Sequence, residues 1–295
     1  MSQIQSHPSG EPFLYSLNTS TISGAKLPLE RELEIAAAAG YAGVEPWIEE
    51  IEAHVAGGGS LRDLRRKIDD LGLRVAGAVG FARWIIDDPA ERAAGLEQMK
   101  RDMDLVAALG GRHIASPPIG AHEPGHARPE LDAIADRYRA ILELGQQTGV
   151  TPVLELWGFS KTLSRLSELL YVAAATAHPG TRLLLDSYHL YKGGSDIAAI
   201  GLLNGAVLPV FHINDYPERP GRNEIDDSYR VYPGEGVAPL AKLFRTLRAI
   251  GFNGFLSVEL FNREYWKQPA DQVARMALEM TRRVVVGALQ RSDRA

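Results

Sequence analysis

The chain has 295 residues, of which 45% are hydrophobic and 23% are charged, proportions that are ordinary for a soluble globular protein. Its formal net charge is −5, so no general attraction to nucleic acid or to an anionic membrane is expected. The chain contains no cysteine, which excludes disulfides, thiolate metal sites and cysteine nucleophiles.

The two ends of the chain, residues 1–12 and 289–295, are predicted to be tails. Met1 to Pro12 is polar and lacks the basic end and apolar run of a signal peptide. No apolar stretch reaches the roughly 20 residues that span a bilayer. A cytoplasmic location is the simplest prediction.

Short apolar runs alternate with amphipathic helical stretches along the rest of the chain. The predicted strands are Phe13–Thr19, Gly43–Trp47, Arg74–Gly80, His113–Pro117, Thr151–Trp157, Arg182–Asp186, Pro209–Asn214 and Gly254–Phe261. The predicted helices include Leu29–Ala39, Leu61–Leu71, Ala90–Leu109, Pro129–Thr148 and Pro239–Ile250. Each of these helices is followed by a glycine, which permits a left-handed C-cap: Gly40, Gly72, Gly110, Gly149 and Gly251.

This alternation is typical of parallel strands joined by helical crossovers. Eight such units favour a closed (β/α)8 TIM barrel, an α/β fold that typically needs roughly 250 residues. No GxGxxG turn follows the first strand, which argues against a dinucleotide-binding fold. Because no Ser/Gly-rich linker interrupts the interior, residues 13–288 are predicted to form one barrel domain.

Polar side chains end the last four predicted strands, and active sites of such barrels lie at the C-terminal strand ends. In chain order these residues are Glu155, Asp186, His212 and Glu259. Side chains alternate between the two faces of a strand. Two positions earlier, on the same faces, lie small or aliphatic residues that suit a barrel interior: Val153, Leu184, Val210 and Ser257. The four polar groups are therefore expected to converge on the barrel axis.

The negative charge of three carboxylates beside one imidazole in an apolar barrel must be compensated by a positive charge, because burying even one unpaired carboxylate costs several kcal/mol. A divalent cation would supply it. Oxygen donors with one nitrogen and no sulfur favour Mn²⁺, Mg²⁺ or Co²⁺, with Zn²⁺ as an alternative. A single acid at a strand end is more typical of a helix cap or a salt bridge, and a single histidine of a structural residue. Four of them at successive strand ends favour a metal site.

At these residues the chain resembles the sugar phosphate isomerase/epimerase family of xylose isomerase-like TIM barrels. The resemblance runs through the segments GYAGVEPW, LELWG, LLLDSYHLYKGG, HINDYP…RVYPGEG and GFLSVEL. That family includes ketose 3-epimerases, hydroxypyruvate isomerase, inosose dehydratase and dehydroshikimate dehydratase. The resemblance therefore implies a barrel and a metal site without selecting a substrate.

The resemblance also implies roles for individual residues. Four match the ligands of a single divalent ion, expected to be Mn²⁺: Glu155, Asp186, His212 and Glu259. Glu155 and Glu259 also match the acid/base pair of the family's epimerases. His189, in Asp-x-x-His, and Arg230, in Arg-x-x-Pro-Gly, match substrate-binding residues.

The implied reaction moves a proton next to a carbonyl of a sugar or polyol-derived substrate, through an enediolate. Isomerisation and epimerisation differ in where the proton returns, whereas loss of a β-hydroxyl would make the enzyme a dehydratase, and the ligands do not distinguish these. A non-catalytic sugar-binding barrel is a third alternative. The expected partners are a small-molecule substrate and further copies of the chain, as a dimer or tetramer, with no nucleic acid or membrane.

A long polar segment follows His212 and carries three arginines, Arg219, Arg222 and Arg230, beside Glu224, Asp226 and Asp227. It is longer than in the simple epimerases. The motif assigns the substrate contact to Arg230. The segment is either a lid or dimer contact that shapes the pocket, or a solvated cluster of internally paired charges.

The DNA-repair endonuclease IV branch shares this fold and supplies the nucleic-acid alternative. It resembles the chain at Asp186, His189 and His212 but uses extra histidines to build a three-metal cluster. The third strand here, RVAGAVGFARW, contains no histidine, and His113 begins its strand at the wrong end of the barrel. With the negative net charge, these differences argue against that branch.

Aromatic residues near the strand ends are candidates for the walls of a substrate pocket. Trp157 and Phe261 lie one step beyond the two glutamates on the same faces, and Trp157 is expected to contact substrate, with core or rim packing as the alternative. Trp47, Trp84 and Tyr191 follow strands and are candidates to face a sugar ring.

Three further polar residues have open roles. Glu45 ends the second strand, where it either holds a substrate hydroxyl, supports a ligand or forms a structural salt bridge. His54 and His122 are expected to be loop residues.

Overall fold

The computed structural model describes residues 11–290 of the chain. Its eight strands are β1 Leu14–Asn18, β2 Gly43–Glu45, β3 Arg74–Val75, β4 His113–Ser116, β5 Thr151–Glu155, β6 Leu183–Asp186, β7 Val210–Ile213 and β8 Phe255–Val258. They pair in the order β3-β2-β1-β8-β7-β6-β5-β4, with every neighbouring pair parallel. The two outer strands also meet, because the Ala78 amide donates to the His113 carbonyl (3.1 Å) and the Ala115 amide donates to the Ala78 carbonyl (2.9 Å). The predicted (β/α)8 barrel is confirmed.

Nine α-helices occur in the described chain: α1 Leu29–Ala39, α2 Ile48–Ala56, α3 Leu61–Asp70, α4 Pro89–Ala108, α5 Leu131–Thr148, α6 Leu166–Thr176, α7 Ser187–Gly193, α8 Leu240–Ala249 and α9 Ala270–Gln290. The five predicted helices are present. Gly40 and Gly149 cap α1 and α5 in the left-handed region, at φ 94° and 77°, as expected for residues without a Cβ. Among these helices, none is both long and apolar enough to cross a membrane.

The predicted tails lie almost wholly outside the described residues, which begin at residue 11 and end at residue 290. Helix α9 continues through Leu289 and Gln290. The Leu289 side chain is buried in the apolar core.

Strand β3 is shorter than the predicted Arg74–Gly80, since its regular ladder ends at Val75. The chain beyond it still contributes to the barrel, because the Ala76 amide donates to the Val44 carbonyl at 2.9 Å. A Cβ at Gly77 would lie only 2.9 Å from Oε1 of Glu45. The glycine thus leaves room inside the barrel for a glutamate of the neighbouring strand.

The apolar core has two layers. The larger one lies between the sheet and the surrounding helices. The smaller one fills the lower barrel interior with one residue from each of seven strands or strand extensions: Leu14, Ala76, Ala115, Val153, Leu184, Val210 and Phe255. Because interior side chains recur every second residue, the next positions up the strands carry the polar groups of the upper barrel.

The long segment between β7 and α8 is held together by Asp215. This buried carboxylate accepts hydrogen bonds from the amides of Tyr216 (2.8 Å), Gly234 (2.9 Å) and Ala238 (2.8 Å). The backbones of Asp215 and Val231 also pair as an antiparallel bridge. The segment therefore returns to its own start and brings Arg230, next to Val231, over the C-terminal mouth of the barrel.

Candidate metal centre

Polar side chains occupy the barrel interior directly above the small apolar layer. The Cα of Asp186 on β6 is in register with that of His212 on β7, and His212 with Ser257 on β8. Glu259 follows Ser257 by two residues and Glu155 ends β5. The expected convergence of these four side chains on the barrel interior agrees with their burial, at 5% exposure or less.

Three of them form a compact cluster. Asp186, His212 and Glu259 each offer a ligand atom within 4.8 Å of the others. His212 Nδ1 lies 3.1 Å from Glu259 Oε2 and 3.9 Å from Asp186 Oδ2. Two carboxylates and one imidazole nitrogen at this spacing fit a divalent cation with oxygen and nitrogen ligands.

Glu155 lies beside this cluster but outside the group of three. Its carboxylate lines the same cavity as Glu259, and within residues 11–290 its buried Oε2 atom has no hydrogen-bond partner. Burial raises the pKa of the Glu155 carboxyl to about 8, against an opposing effect of His212. An unpartnered carboxylate oxygen next to three other ligand groups is what a fourth metal ligand or a proton acceptor requires.

Asp186 has two functions at the end of β6. Its Oδ1 accepts hydrogen bonds from the amides of Tyr188 (2.6 Å) and His189 (3.0 Å), so it caps the N-terminus of α7. Its Oδ2 faces the cluster and accepts from Asn214 at 3.0 Å. The cap explains the Asp-x-x-His spacing, because it sets His189 in the first turn of α7, at the wall of the cavity.

Glu45 contacts the ring nitrogen of His212 that does not face Glu259 and Asp186. Its Oε2 lies 2.9 Å from His212 Nε2 and accepts a hydrogen bond from Ser257 at 2.8 Å. Glu45 therefore contacts a candidate ligand, and the same contact is a buried ion pair when His212 is protonated. Burial disfavours the imidazolium, but Glu259 and Glu45 together raise the pKa of His212 well above its usual value.

Asn18 joins the two sides of the site and was not predicted from the sequence. Its Nδ2 donates to Glu45 Oε2 (3.1 Å) and to Glu259 Oε1 (3.2 Å), while its Oδ1 accepts from the Trp47 indole at 3.0 Å. A signal was present, because Leu14, Ser16 and Asn18 share the interior face of β1 by parity. The strand's polar end therefore matched the ends of β5 to β8.

Arg230 reaches the cluster from the long segment. Its Nη1 donates to Asp186 Oδ2 (2.8 Å) and to Glu259 Oε2 (2.7 Å), while Asp227 accepts from its Nε at 3.0 Å. Burial opposes the charge of Arg230, but the neighbouring carboxylates raise its pKa above the usual value. Arg219 and Arg222 are both exposed, so Arg230 is the arginine of this segment that enters the site.

His189 lies against the same guanidinium, with Nε2 3.2 Å from Arg230 Nη2. Burial and the charge of Arg230 lower the pKa of His189 to about 3, so its ring is neutral at physiological pH. Because a guanidinium only donates, Nε2 accepts from Arg230, and Nδ1, which has no hydrogen-bond partner among the described residues, carries the hydrogen that the ring can donate to a substrate oxygen.

Above the cluster lies a cavity of about 400 Å³. Its walls are largely aromatic: Trp47, Phe81, Trp157, Phe159, Phe261 and Trp266. The rings contact one another in tilted or edge-on pairs around the mouth, such as Trp47 with Phe81 at 5.3 Å and Trp157 with Phe159 at 5.2 Å. The candidate pocket residues Trp47, Trp157 and Phe261 thus lie at the cavity.

Two aromatic predictions are corrected. Trp84 is fully buried away from the cavity and donates its indole hydrogen to the Pro117 carbonyl at 3.0 Å. Tyr191 stacks on Tyr216 at 4.0 Å and lines a separate lateral pocket. A position after a strand does not fix the direction of a side chain: Trp84 packs against Tyr138 of α5, whereas Tyr191 packs against Tyr216.

Three further histidines lie outside the metal cluster. His54 was predicted to be a loop residue, but it lies in the last turn of α2 and pairs with Glu30 at 3.0 Å. His122 lies in the loop after β4, edge-on to Trp157 at 5.5 Å. His113 is at the N-terminal end of β4 and lines the opposite mouth of the barrel, as predicted.

The fold and site define an α/β barrel with a candidate metal centre at its C-terminal mouth. The family model described as xylose isomerase-like TIM barrel matches residues 33–284, and the chain belongs to that family.

The relatives of this chain are named for different activities. The chain is 27% identical over 191 residues to an inosose isomerase of Bacillus velezensis, covering 64% of this chain and 68% of the relative. It is 24% identical over 260 residues to a 3-dehydroshikimate dehydratase of Pseudomonas putida, covering 88% of this chain and 40% of the relative. A crystal structure of the IOLI protein with a binding zinc atom shares the fold, with TM-score 0.84 and 22% identity, covering 94% of this chain and 99% of that one.

Proposed function

We propose that the protein is a divalent-metal-dependent isomerase or epimerase of a sugar or a related polyhydroxy-carbonyl compound. The observation that carries the proposal is the convergence of Asp186, His212 and Glu259 within 4.8 Å, with Glu155 in the same cavity. Relatives named as inosose isomerase and hydroxypyruvate isomerase support the reaction class.

In this proposal, four residues would hold the ion: Glu155, Asp186, His212 and Glu259. Their oxygen and nitrogen donors suit Mn²⁺, with Mg²⁺, Co²⁺ and Zn²⁺ as alternatives. When bound, the ion would supply Lewis-acid stabilisation of the negative charge that develops on a substrate carbonyl oxygen.

Glu155 and Glu259 are proposed to move the proton. Glu155 ends β5 and Glu259 lies just past β8. Because β6 and β7 separate these two strands in the sheet, the two carboxylates flank the site from different directions. Glu155 has an unpartnered oxygen, whereas Glu259 is held by Asn18 and Arg230. One carboxylate takes the proton next to the carbonyl and the other returns it. Return to the opposite face gives epimerisation, and return to the neighbouring carbon gives isomerisation.

Substrate contacts are assigned to His189, Arg230 and Trp157, which all line the cavity. The Arg230 guanidinium donates to Asp186, Glu259 and Asp227 and contacts His189, so a substrate oxygen would take the place of one of these acceptors on its rigid fork of donors. The Trp157 ring offers an apolar face to the C–H side of a sugar. A volume of about 400 Å³ falls within the range of small-molecule sites, about 300–1,000 Å³.

The main alternative is a dehydratase of an inosose- or dehydroshikimate-like substrate. The relative named 3-dehydroshikimate dehydratase matches 88% of this chain, a larger share than the inosose isomerases match. Proton removal by the same glutamates, followed by loss of a β-hydroxyl, would give that reaction from the same cluster.

Isotope exchange separates these reactions. The Mn²⁺-loaded protein is incubated in deuterated water with a panel of ketoses, inososes and dehydroshikimate. Deuterium incorporated into an isomer or epimer supports the proposal, and an enone or aromatic product supports the dehydratase. Absence of exchange and turnover across the panel would contradict both. Glu155→Gln should abolish exchange, while the exposed Glu49→Gln serves as the matched control.

A further inference from the structure

Five aromatic rings in a row line the cavity above the metal cluster and are called here the aromatic arc: Phe261, Trp47, Phe81, Trp157 and Phe159. Successive ring centroids lie 6.0, 5.3, 6.2 and 5.2 Å apart. At these separations neighbouring rings are in contact, so the arc is one continuous apolar surface. It begins directly above the cluster, because Phe261 and Trp157 follow Glu259 and Glu155 by two residues.

The tryptophans at the cavity turn their polar atoms away from it. The Trp47 indole donates to Oδ1 of Asn18 at 3.0 Å, and the Trp266 indole donates to the Ser20 carbonyl at 3.0 Å. A hydroxyl placed against these rings would lose its water without gaining a hydrogen bond, which is unfavourable. An apolar group placed there gains the free energy of burial. The two tryptophans therefore favour carbon over oxygen.

The outer end of the aromatic arc is open to solvent. Phe159 is 43% exposed, although its ring contacts both Trp157 at 5.2 Å and His189 at 5.5 Å. Phe81 contacts Trp47 and Trp157. Exposed apolar surface that continues into a cavity is typical of a ligand-binding site. Phe81 and Phe159 thus extend the apolar surface outward from the rings that lie next to the cluster.

The polar lining residues lie mainly on another part of the wall. His189 follows β6, and the segment from Asp226 to Arg230 follows β7, whereas the arc follows β8, β2, β3 and β5. The cavity is therefore amphipathic: its polar part faces the metal cluster and the β6–β7 side, and its apolar part extends to Phe159. A cavity of about 400 Å³ also belongs to the size class that encloses drug-sized ligands, which are larger than one sugar ring.

We infer that the substrate carries an aryl substituent on its polyhydroxylated part, as an aryl glycoside does. The aryl group packs against Phe81 and Phe159, in the offset or edge-on geometry that aromatic pairs prefer. The polyhydroxylated part lies over the metal cluster and against His189 and Arg230. This inference rests on the proposed function, because it concerns the substrate of the same site.

Phenyl β-D-glucopyranoside and methyl β-D-glucopyranoside are the probes, because they share a sugar ring and differ only in the substituent. Equilibrium dialysis against the full-length, Mn²⁺-loaded protein gives both affinities. The phenyl compound should bind at least about tenfold more tightly, since its ring is buried against the arc. Phe159→Ala and Phe81→Ala should each weaken phenyl glucoside binding at least about fivefold and leave methyl glucoside binding unchanged.

Two control variants accompany this experiment. Phe159→Tyr keeps the aromatic ring and should bind the phenyl glucoside as the wild type does. Leu202→Ala removes a side chain that is 81% exposed and does not line the cavity, so it should also match the wild type. Equal affinity of the wild type for the two glucosides overturns the inference. Unchanged phenyl glucoside binding in both Phe159→Ala and Phe81→Ala also overturns it, since the ring would then bind elsewhere.

The probes carry no carbonyl group, so their binding is measured independently of the proposed reaction. Deuterium exchange into a ketose, with no preference for the phenyl glucoside, would leave the proposed function intact and overturn the aryl site. A preference for the phenyl glucoside that is lost in Phe159→Ala, with no exchange in any ketose, would support the aryl site and contradict the proposed reaction.

Discussion

The Nε2 atom of His212 lies 2.9 Å from Oε2 of Glu45, so the end of β2 orients an imidazole on β7. The other ring nitrogen, Nδ1, faces Glu259 and Asp186. A carboxylate on the outer nitrogen of a ligating histidine selects the tautomer and raises the basicity of the inner nitrogen. Glu45 is therefore expected to act on the metal through His212.

Glu45→Gln should weaken Mn²⁺ binding about tenfold or more, because the amide removes the negative charge that makes His212 a better ligand. Competition with a fluorescent chelator measures the Kd. Glu49→Gln, on the exposed face of α2, should keep the wild-type value. If the two variants bind Mn²⁺ equally well, His212 is oriented without help from Glu45.

Glu155→Gln and Glu259→Gln should each lower kcat by about 10² to 10⁴, because an amide cannot accept the substrate proton. Their metal affinities should differ. Glu259 belongs to the compact cluster, so its replacement should weaken Mn²⁺ binding more than replacement of Glu155. Parallel measurement of kcat and of the Kd for Mn²⁺ tests both statements, and substantial turnover by either variant would remove that glutamate from the proton-transfer role.

Arg230→Gln should lower kcat/KM by about tenfold or more, because a guanidinium that donates to substrate oxygens is lost. Its affinity for Mn²⁺ should not fall, since the change removes a cation next to Asp186 and Glu259. Without metal, the variant should melt at a lower temperature than the wild type, because those buried carboxylates lose their partner. Added Mn²⁺ should restore much of the difference.

Arg222→Gln is the matched control for this experiment, because Arg222 belongs to the same segment and is exposed. It should leave both kcat/KM and metal affinity unchanged. Loss of bound metal in Arg230→Gln, with kcat/KM retained, would contradict the assigned role.

Glu32→Gln should make stability less dependent on pH. Burial and the nearby Glu50 raise the pKa of Glu32 from 4.5 to about 8, so between these values the folded protein holds a proton that the unfolded chain has lost. The wild-type free energy of unfolding therefore falls as the pH rises through this window, by up to about 1.4 kcal/mol per pH unit from this group. The neutral amide removes that contribution.

Urea unfolding at several pH values between 5 and 8, in the presence of a chelator, measures the effect. The difference in stability between Glu32→Gln and wild type should grow toward pH 8 in favour of the variant. Glu49→Gln should follow the wild-type pH profile. Parallel profiles for Glu32→Gln and wild type would mean that Glu32 is ionised in the folded protein at neutral pH.

Much of the site was predictable from local sequence patterns. Alternation along a strand is a property of a few neighbouring residues, so Val153, Leu184 and Val210 identified the interior faces that also carry Glu155, Asp186 and His212. The repeated strand–helix units with glycine caps identified the barrel, and the barrel in turn located its active end. None of these inferences required a distance between remote residues.

Only the tertiary structure decided which polar groups meet. Glu45 and His212 are 167 residues apart in the chain, and no local pattern distinguishes their contact from a salt bridge at the rim. The burial of Arg230 depends on the fold of the segment around Asp215. Local periodicity sets the direction of a side chain, whereas closure of the barrel sets its neighbours.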